Sequence, residues 1–264
     1  MRMRYRKVMK DIGGAKMVDV KGRWALITGA ARGIGYLTAR FMAKQGCNLI
    51  LHSRDLSHTK KVLEEVKADG INAYAVAADL NDLSSVEKML QEIDALGVTV
   101  DIVLNNAGLQ IAYRTEYFQT PVEDYLVSFN VNTIAPAMIC YHFMPKMIER
   151  GFGRIVNTTS GIRLEPEQAG YSASKAALDK ITIDLGNTVQ GTDVMINLTD
   201  PGWCRTDLGG PHAPNAPESA IPGIVVGAFV DDKKSGRILG AQNFAGMTLE
   251  EAVAKAEKEF DSPY

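Results

Sequence analysis

The sequence predicts an α/β protein: a doubly wound parallel sheet with helices on both faces, in a single domain. Three observations lead there. From Trp24 onward, short apolar runs rich in β-branched residues alternate with stretches of helical period. The runs are continuously apolar, the mark of strands buried on both faces, and strand–helix alternation implies parallel strands joined by right-handed crossovers. The first run also leads straight into a glycine-spaced turn, "TGAARGIG" from Thr28 to Gly35, at the mouth of a helix.

Taken in order, the predicted strands are "WALIT", "NLILH", "AYAVA", "DIVLNN", "RIVNTT" and "VMINLT", with a seventh near "RILGAQ". Helical periodicity fills about 33–45, 56–69, 82–96, 121–150 and 169–190. "TLEEAVAKAEKEF" closes the chain as a helix, and Thr248 and Glu251 have capping-box spacing for it. Between Thr206 and Ile224 the period lapses in a stretch holding four of the ten prolines. Long irregular segments inside compact domains serve as lids or binding loops. This layout is a three-layer Rossmann fold over residues 23–264, preceded by a basic extension at 1–22. In that extension Tyr5, Val8, Met9 and Ile12 lie at helical spacing before Gly13 and Gly14. They read either as a frayed arm or as a short helix docking on the body or a neighbouring subunit.

A chain of 264 residues can bury one sizeable core. Its net charge of −2 argues against nucleic acid as the main partner, because neutralising phosphates needs a basic face. No apolar run reaches the length of a membrane span and no signal-peptide core follows the N-terminus, so the expected compartment is the cytoplasm. Cys47, Cys140 and Cys204 form no C-x-x-C pair, which fits reduced thiols, with Cys204 as small apolar filler. His52, His58, His142 and His212 lack ligand spacing, and no metal site is expected.

The glycine turn suits an anion. Gly29 permits a sharp turn after the strand, Gly33 leaves room for backbone to approach a pyrophosphate, and Gly35 allows close helix–strand packing. The helix start offers free N–H groups and a positive dipole end. By itself, a glycine turn between any strand and helix looks the same. Farther along, "GYSASKAAL" sets Tyr171 and Lys175 one helical turn apart, on the same side. A phenol ionises at about pH 10. A nearby ammonium favours the phenolate, and lowering the phenol by about three pKa units corresponds to roughly 4 kcal/mol.

The T-G-x-x-x-G-x-G spacing, "NNAG" at Asn105–Gly108, the Tyr171/Lys175 pair and "PGWCRT" after the sixth strand together resemble the short-chain dehydrogenase/reductase family, over nearly all of residues 22–245. The resemblance implies that Gly29, Gly33, Ile34 and Gly35 hold a dinucleotide pyrophosphate. It also implies that Asn106, Ala107 and Gly108 border the adenosine half, with Asp79 and Leu80 of "AADL" at the adenine. Pro201 and Gly202 would line the nicotinamide, and Thr206 would bind its carboxamide. Ser53, Arg54 and Asp55 close the second strand, about twenty residues past the glycines, where an acid suits a free ribose diol and an arginine a 2′-phosphate. Arg54, with Arg32 to assist, favours NADP. Asp55 pointing inward would oppose it, and bacterial relatives acting on steroids often use NAD, so the cofactor is read as NAD or NADP.

For the chemistry, the resemblance implies hydride transfer between nicotinamide and a carbonyl or secondary alcohol. Tyr171 protonates the oxygen, Ser160 polarises the carbonyl, Lys175 anchors the ribose and tunes Tyr171, and Asn132 links the lysine to a water chain. Only eleven positions separate Ser160 from Tyr171, a tighter loop than many relatives have. Leu109, Ile111, Tyr113, Tyr117, Phe118, Leu164 and Trp203 would line the pocket, which suits a bulky hydrophobic small molecule such as a steroid. The alternatives are a 3-oxoacyl thioester reductase, which would want a basic mouth (Arg114, Arg163, Arg205), and a non-catalytic dinucleotide sensor. Relatives assemble as dimers or tetramers through the helices at about 121–150 and 169–190.

Overall fold

In the computed structural model, which describes residues 17–264, every predicted strand is present. They are β1 (Trp24–Ile27), β2 (Asn48–Ser53), β3 (Ala73–Ala77), β4 (Val100–Asn105), β5 (Gly153–Thr158), β6 (Val194–Asp200) and the short β7 (Ile238–Gly240). All pair in parallel in the order β3-β2-β1-β4-β5-β6-β7. The order reverses between β1 and β4. The connections leaving their carboxyl ends run to opposite faces of the sheet there, and open α/β sheets bind ligands in such crevices. The helical reading of residues 5–12 falls outside the described residues.

The helices are α1 (Gly33–Lys44), α2 (Leu56–Ala68), α3 (Leu83–Ala95), α4 (Val122–Phe129), α5 (Ala135–Arg150), α6 (Ala169–Thr188) and α7 (Leu249–Glu259). Successive strand residues point to opposite faces, and each face carries its own core. Ala25, Ile27, Leu49 and Leu51 pack with Met42 of α1, Val62 of α2 and Val253 of α7. Leu26, Ile50, Val103 and Ile155 pack with Met89 of α3 and Phe143 of α5. Val18 and Val20, ahead of β1, are buried in the first of these cores, and the Val18 N–H donates to the Phe229 carbonyl (2.9 Å).

The segment expected as one helix at 121–150 is broken by a π-helical turn, Asn130–Ile134, between α4 and α5. Such bulges are frequent at functional sites, and this one carries Asn132. The lid expected at 206–224 has no strand or α-helix, only a 3₁₀ turn at Pro217–Ala220. It is nevertheless laced to itself. Trp203 Nε1–H donates to the Gly209 carbonyl (2.7 Å), and Arg205 Nη1 donates to the carbonyls of Ala213 (3.0 Å) and Pro214 (2.8 Å). The capping box forms as read, with Thr248 Oγ1 accepting from Glu251 N–H and Glu251 accepting from Thr248 N–H.

Candidate active site

The glycine turn is packed to the limit of what backbone allows. Gly29 has φ +67, and a Cβ there would lie 2.9 Å from Ala107 Cα. A Cβ on Gly35 would lie 2.1 Å from the Gly29 carbonyl oxygen and 2.5 Å from Asn106 Nδ2. Asn106 in turn donates to the Thr28 carbonyl (3.2 Å), and the Ala107 N–H donates to Thr28 Oγ1 (3.0 Å). His52, which the sequence left unassigned, braces the turn from behind. Its Nδ1 accepts from Gly29 N–H (3.3 Å) and its Nε2 contacts the Ala78 carbonyl (3.1 Å). Burial holds this imidazole below its usual pKa, so it stays neutral with the proton on Nε2.

This cradle fits an anion by its donor set. Helices α2, α3 and α7 begin with a side chain accepting from their first turn: Asp55, Asp82 and Thr248. At α1, as at α4, α5 and α6, no side chain caps the start; its cap position is Arg32, its first turn has no acid, and it opens directly from the glycine turn after β1. Its leading N–H groups, at Gly33, Ile34 and Gly35, are therefore left for a ligand at the positive end of the helix dipole.

At the end expected to take the adenosine, Asp55 Oδ1 accepts from both Ser57 N–H (2.8 Å) and Ser57 Oγ (2.6 Å). These bonds hold its carboxyl below the usual range and commit it to the start of α2. Ser53 Oγ donates to the Asp55 carbonyl (2.6 Å), and Arg54 is exposed, with no ion-pair partner among the described residues. Arg32, expected to assist a 2′-phosphate, meets Asp207 at 2.8 Å in an exposed ion pair that bridges the glycine turn and the 206–224 segment. Asp79 is exposed, with Oδ1 accepting from Asn81 N–H (2.9 Å), and Leu80 is buried.

At the chemical end, Ser160 follows β5, and Tyr171 and Lys175 lie on α6, both buried. Lys175 Nζ donates to the Thr158 carbonyl (2.8 Å) and stands 6.0 Å from the Tyr171 ring centre. Asn132 is completely buried. Its Oδ1 accepts from Leu109 N–H (2.8 Å), and its Nδ2 donates to the Leu109 carbonyl (2.8 Å) and to Ser174 Oγ (3.0 Å). A Cβ on Gly108 would come within 3.5 Å of Lys175 Nζ and 3.6 Å of Asn132 Oδ1, so the "NNAG" segment, the π turn and α6 converge at one point. On the other wall, Pro201 and Gly202 follow β6, and Thr206 packs a methyl within 3.4 Å of a Cβ on Gly33. Cys204 is buried and its thiol is pushed up mainly by that burial, as filler should be.

The electrostatics correct one expectation. Lys175 was expected to draw Tyr171 down, yet the protein's own groups push the phenol up. Burial is the main cause, Asp200 adds to it, and the Ser160 hydroxyl works against it. The ammonium is turned to the Thr158 carbonyl and not to the phenol, and burial penalises the phenolate. Burial also brings Lys175 from 10.5 to about 8, with Asp179 and Asp200 partly holding it up. Neither carboxylate was picked out from the sequence. The signal was there for Asp200, an acid at a strand's carboxyl end directly before Pro201–Gly202.

A switch-point crevice, an uncapped helix start and a Ser–Tyr–Lys set whose tyrosine and lysine are buried define a dinucleotide-dependent oxidoreductase of the doubly wound class. The chain belongs to the short chain dehydrogenase family, whose model matches residues 23–216. It is an NAD(P)-dependent dehydrogenase/reductase. It is 31% identical to the oxidoreductase UcpA of Salmonella typhimurium, over 90% of this chain and 99% of that protein. It is 32% identical to the ketoacyl reductase HetN of a Nostoc species, over 71% of this chain and 65% of that protein, just under two thirds. Among solved structures it resembles a metagenomic short-chain oxidoreductase in complex with NADP, with 29% identity and a TM-score of 0.65 over 70% of this chain and 84% of that one.

Proposed function

We propose that the chain interconverts a bulky hydrophobic ketone and its secondary alcohol with NADP(H), through Ser160, Tyr171 and Lys175. The burial of Tyr171 and Lys175 together, with half-buried Ser160 at the phenol and the free N–H groups at the start of α1, carries the reading. When bound, the nicotinamide supplies or takes up the hydride. Tyr171 gives its proton to the carbonyl oxygen in reduction and accepts one in oxidation, and Ser160 orients and polarises that oxygen. A phenol held above its ordinary pKa is protonated near neutrality, so reduction is favoured there and oxidation gains at higher pH. Lys175 and Thr206 face the nicotinamide end and Gly33–Gly35 the pyrophosphate. Asn132 keeps the "NNAG" loop and α6 in register.

The NADP preference rests on Arg54 and Asp55. The arginine has no partner among the described residues and the carboxylate is committed to α2, so the acid does not contest a 2′-phosphate. A hydrophobic substrate is supported by Tyr113, Phe118, Leu164 and Trp203, all exposed around the expected mouth. The named ketoacyl reductase relative supports a 3-oxoacyl thioester as the second reading. Against it, Arg114 is bound to Asp124 through two hydrogen bonds (2.7 and 3.0 Å) and Arg205 to backbone carbonyls, which leaves exposed Arg163 as the one of the three mouth arginines free to meet an acidic carrier. Exposed Val122, Leu126, Tyr141 and Ile148 on α4 and α5 support self-association through these helices. No helix among the described residues is long and apolar enough to cross a membrane.

The deciding experiment compares wild type with Tyr171→Phe on a panel of bulky ketones, steroid ketones included, with NADPH and with NADH. A catalyst loses turnover on losing the hydroxyl and keeps dinucleotide affinity. Unchanged turnover in the variant would remove the reading, and a wild type inert on every ketone would favour a sensor.

A further inference from the structure

Where the β5–β6 ladder ends, a side chain continues it. The last backbone rung runs from Thr159 N–H to the Thr199 carbonyl (2.8 Å). One residue on, Asp200 takes over: Oδ2 accepts from Gly161 N–H (2.9 Å) and Oδ1 from Gly202 N–H (2.9 Å). Gly161 directly follows Ser160, and Gly202 belongs to the turn at the nicotinamide end. Ser160 is thus held between two inter-strand hydrogen bonds, and one carboxylate ties the carbonyl-polarising loop to the cofactor loop. The site is shaped for this: a Cβ on Gly161 would lie 2.9 Å from Asp200 Oδ2. Charge-assisted bonds to two backbone donors are strong enough to fix a loop end.

We propose that Asp200 is a positioning residue of the reaction, clasping the Ser160 loop to the Pro201–Gly202 turn and setting a negative charge beside Tyr171 and Lys175. The proposal rests on the dehydrogenase reading above and adds to it the device that aligns serine, tyrosine and nicotinamide loop. Other groups share this neighbourhood. Lys175 and Asp179 face it from α6, Arg163 from the loop after β5, and Cys204, Arg205 and Glu218 from the lid side. Within this set Asp200 opposes ionisation of the phenol and favours the charged lysine.

Two variants separate the clasp from the charge. Asp200→Asn is isosteric, removes the charge and can accept from only one of the two N–H groups. Gly161→Ala keeps the charge and forces the carboxylate off its Gly161 partner. Turnover is read as NADPH oxidation with 9,10-phenanthrenequinone as the carbonyl probe. Tyr171 ionisation is read without any substrate, as tyrosinate absorbance of each protein minus that of its Tyr171→Phe counterpart. Both variants are expected to lose about 10- to 100-fold in kcat with a much smaller change in KM, the size of effect a misplaced reacting group produces. Asp200→Asn moves the Tyr171 titration to lower pH, and Gly161→Ala leaves it in place. Asp200→Asn with an unmoved Tyr171 titration overturns the charge role, and wild-type kcat in both variants overturns the clasp. Should Tyr171→Phe itself keep full turnover, the dehydrogenase reading fails, while the titration still answers for Asp200.

Discussion

Replacing Lys175 by Met tests what this buried ammonium costs the fold. In the folded protein its pKa is brought from 10.5 to about 8, chiefly by burial. Near pH 7 that displacement corresponds to roughly 3 kcal/mol against the folded state. Losing the hydrogen bond to the Thr158 carbonyl takes back about 1–3 kcal/mol, so stability near neutrality changes little or rises. The sharper signal is its pH dependence. Between about 8 and 10.5 the folded lysine has shed its proton while the unfolded one keeps it. The unfolded state then binds more protons, and stability rises with pH. From about pH 7 to about pH 9.5 the wild type should gain roughly 2 kcal/mol from this group relative to Lys175→Met, other titrations cancelling between the two proteins. Urea denaturation of both proteins, freed of dinucleotide, at a series of pH values measures the difference. A difference that is flat or shrinking over that range refutes the assignment of a depressed lysine. Turnover of Lys175→Met should fall by at least about a hundredfold, marking a residue kept for chemistry at the expense of the fold.

Three further outcomes are expected. Gly35→Ala puts a methyl 2.1 Å from the Gly29 oxygen and must push α1 off the turn. NADPH titration should show at least about tenfold weaker binding, alongside a stability loss of about 1–3 kcal/mol in thermal melts. Arg54→Ala should raise KM for NADPH by about tenfold or more and leave that for NADH nearly unchanged, in steady-state rates with either cofactor. Asn132→Ala removes all three of its hydrogen bonds, one buried and two half-buried, and strands the Leu109 N–H, so denaturation should show a loss of about 2–4 kcal/mol.

The sequence was informative where the physics is local. Apolar runs and helical period located the strands and most helix ends, because burial on both faces leaves its trace in nearly every residue of the inner strands, while the edge strands β3 and β7 are partly exposed. The glycines at 29 and 35 were legible for the same reason: nothing larger fits, and the spacing shows it. Tyr171 and Lys175 were legible because four residues on a helix is one turn. By contrast the π turn at Asn132 left no mark in the apolar pattern. Its Asn132 pairs with Leu109, a residue that only the tertiary fold brings near.

What tertiary structure alone decided was the direction of charge effects and the alliances between distant loops. Sequence spacing placed Lys175 beside Tyr171, but burial, which no local pattern measures, pushes the phenol up and the ammonium down. Arg32 meets Asp207 because the segment after β6 comes back to the glycine turn. Asp55 turned to cap α2, where the unpaired N–H groups of the helix start are nearest. Asp200 gained its partners only because β5 and β6 end side by side, which puts residues 161 and 202 within reach of one carboxylate. The chain by itself determines which elements form and which chemical groups they carry. Solvent exclusion and the meeting of strand ends, both properties of the packed whole, determine what those groups do.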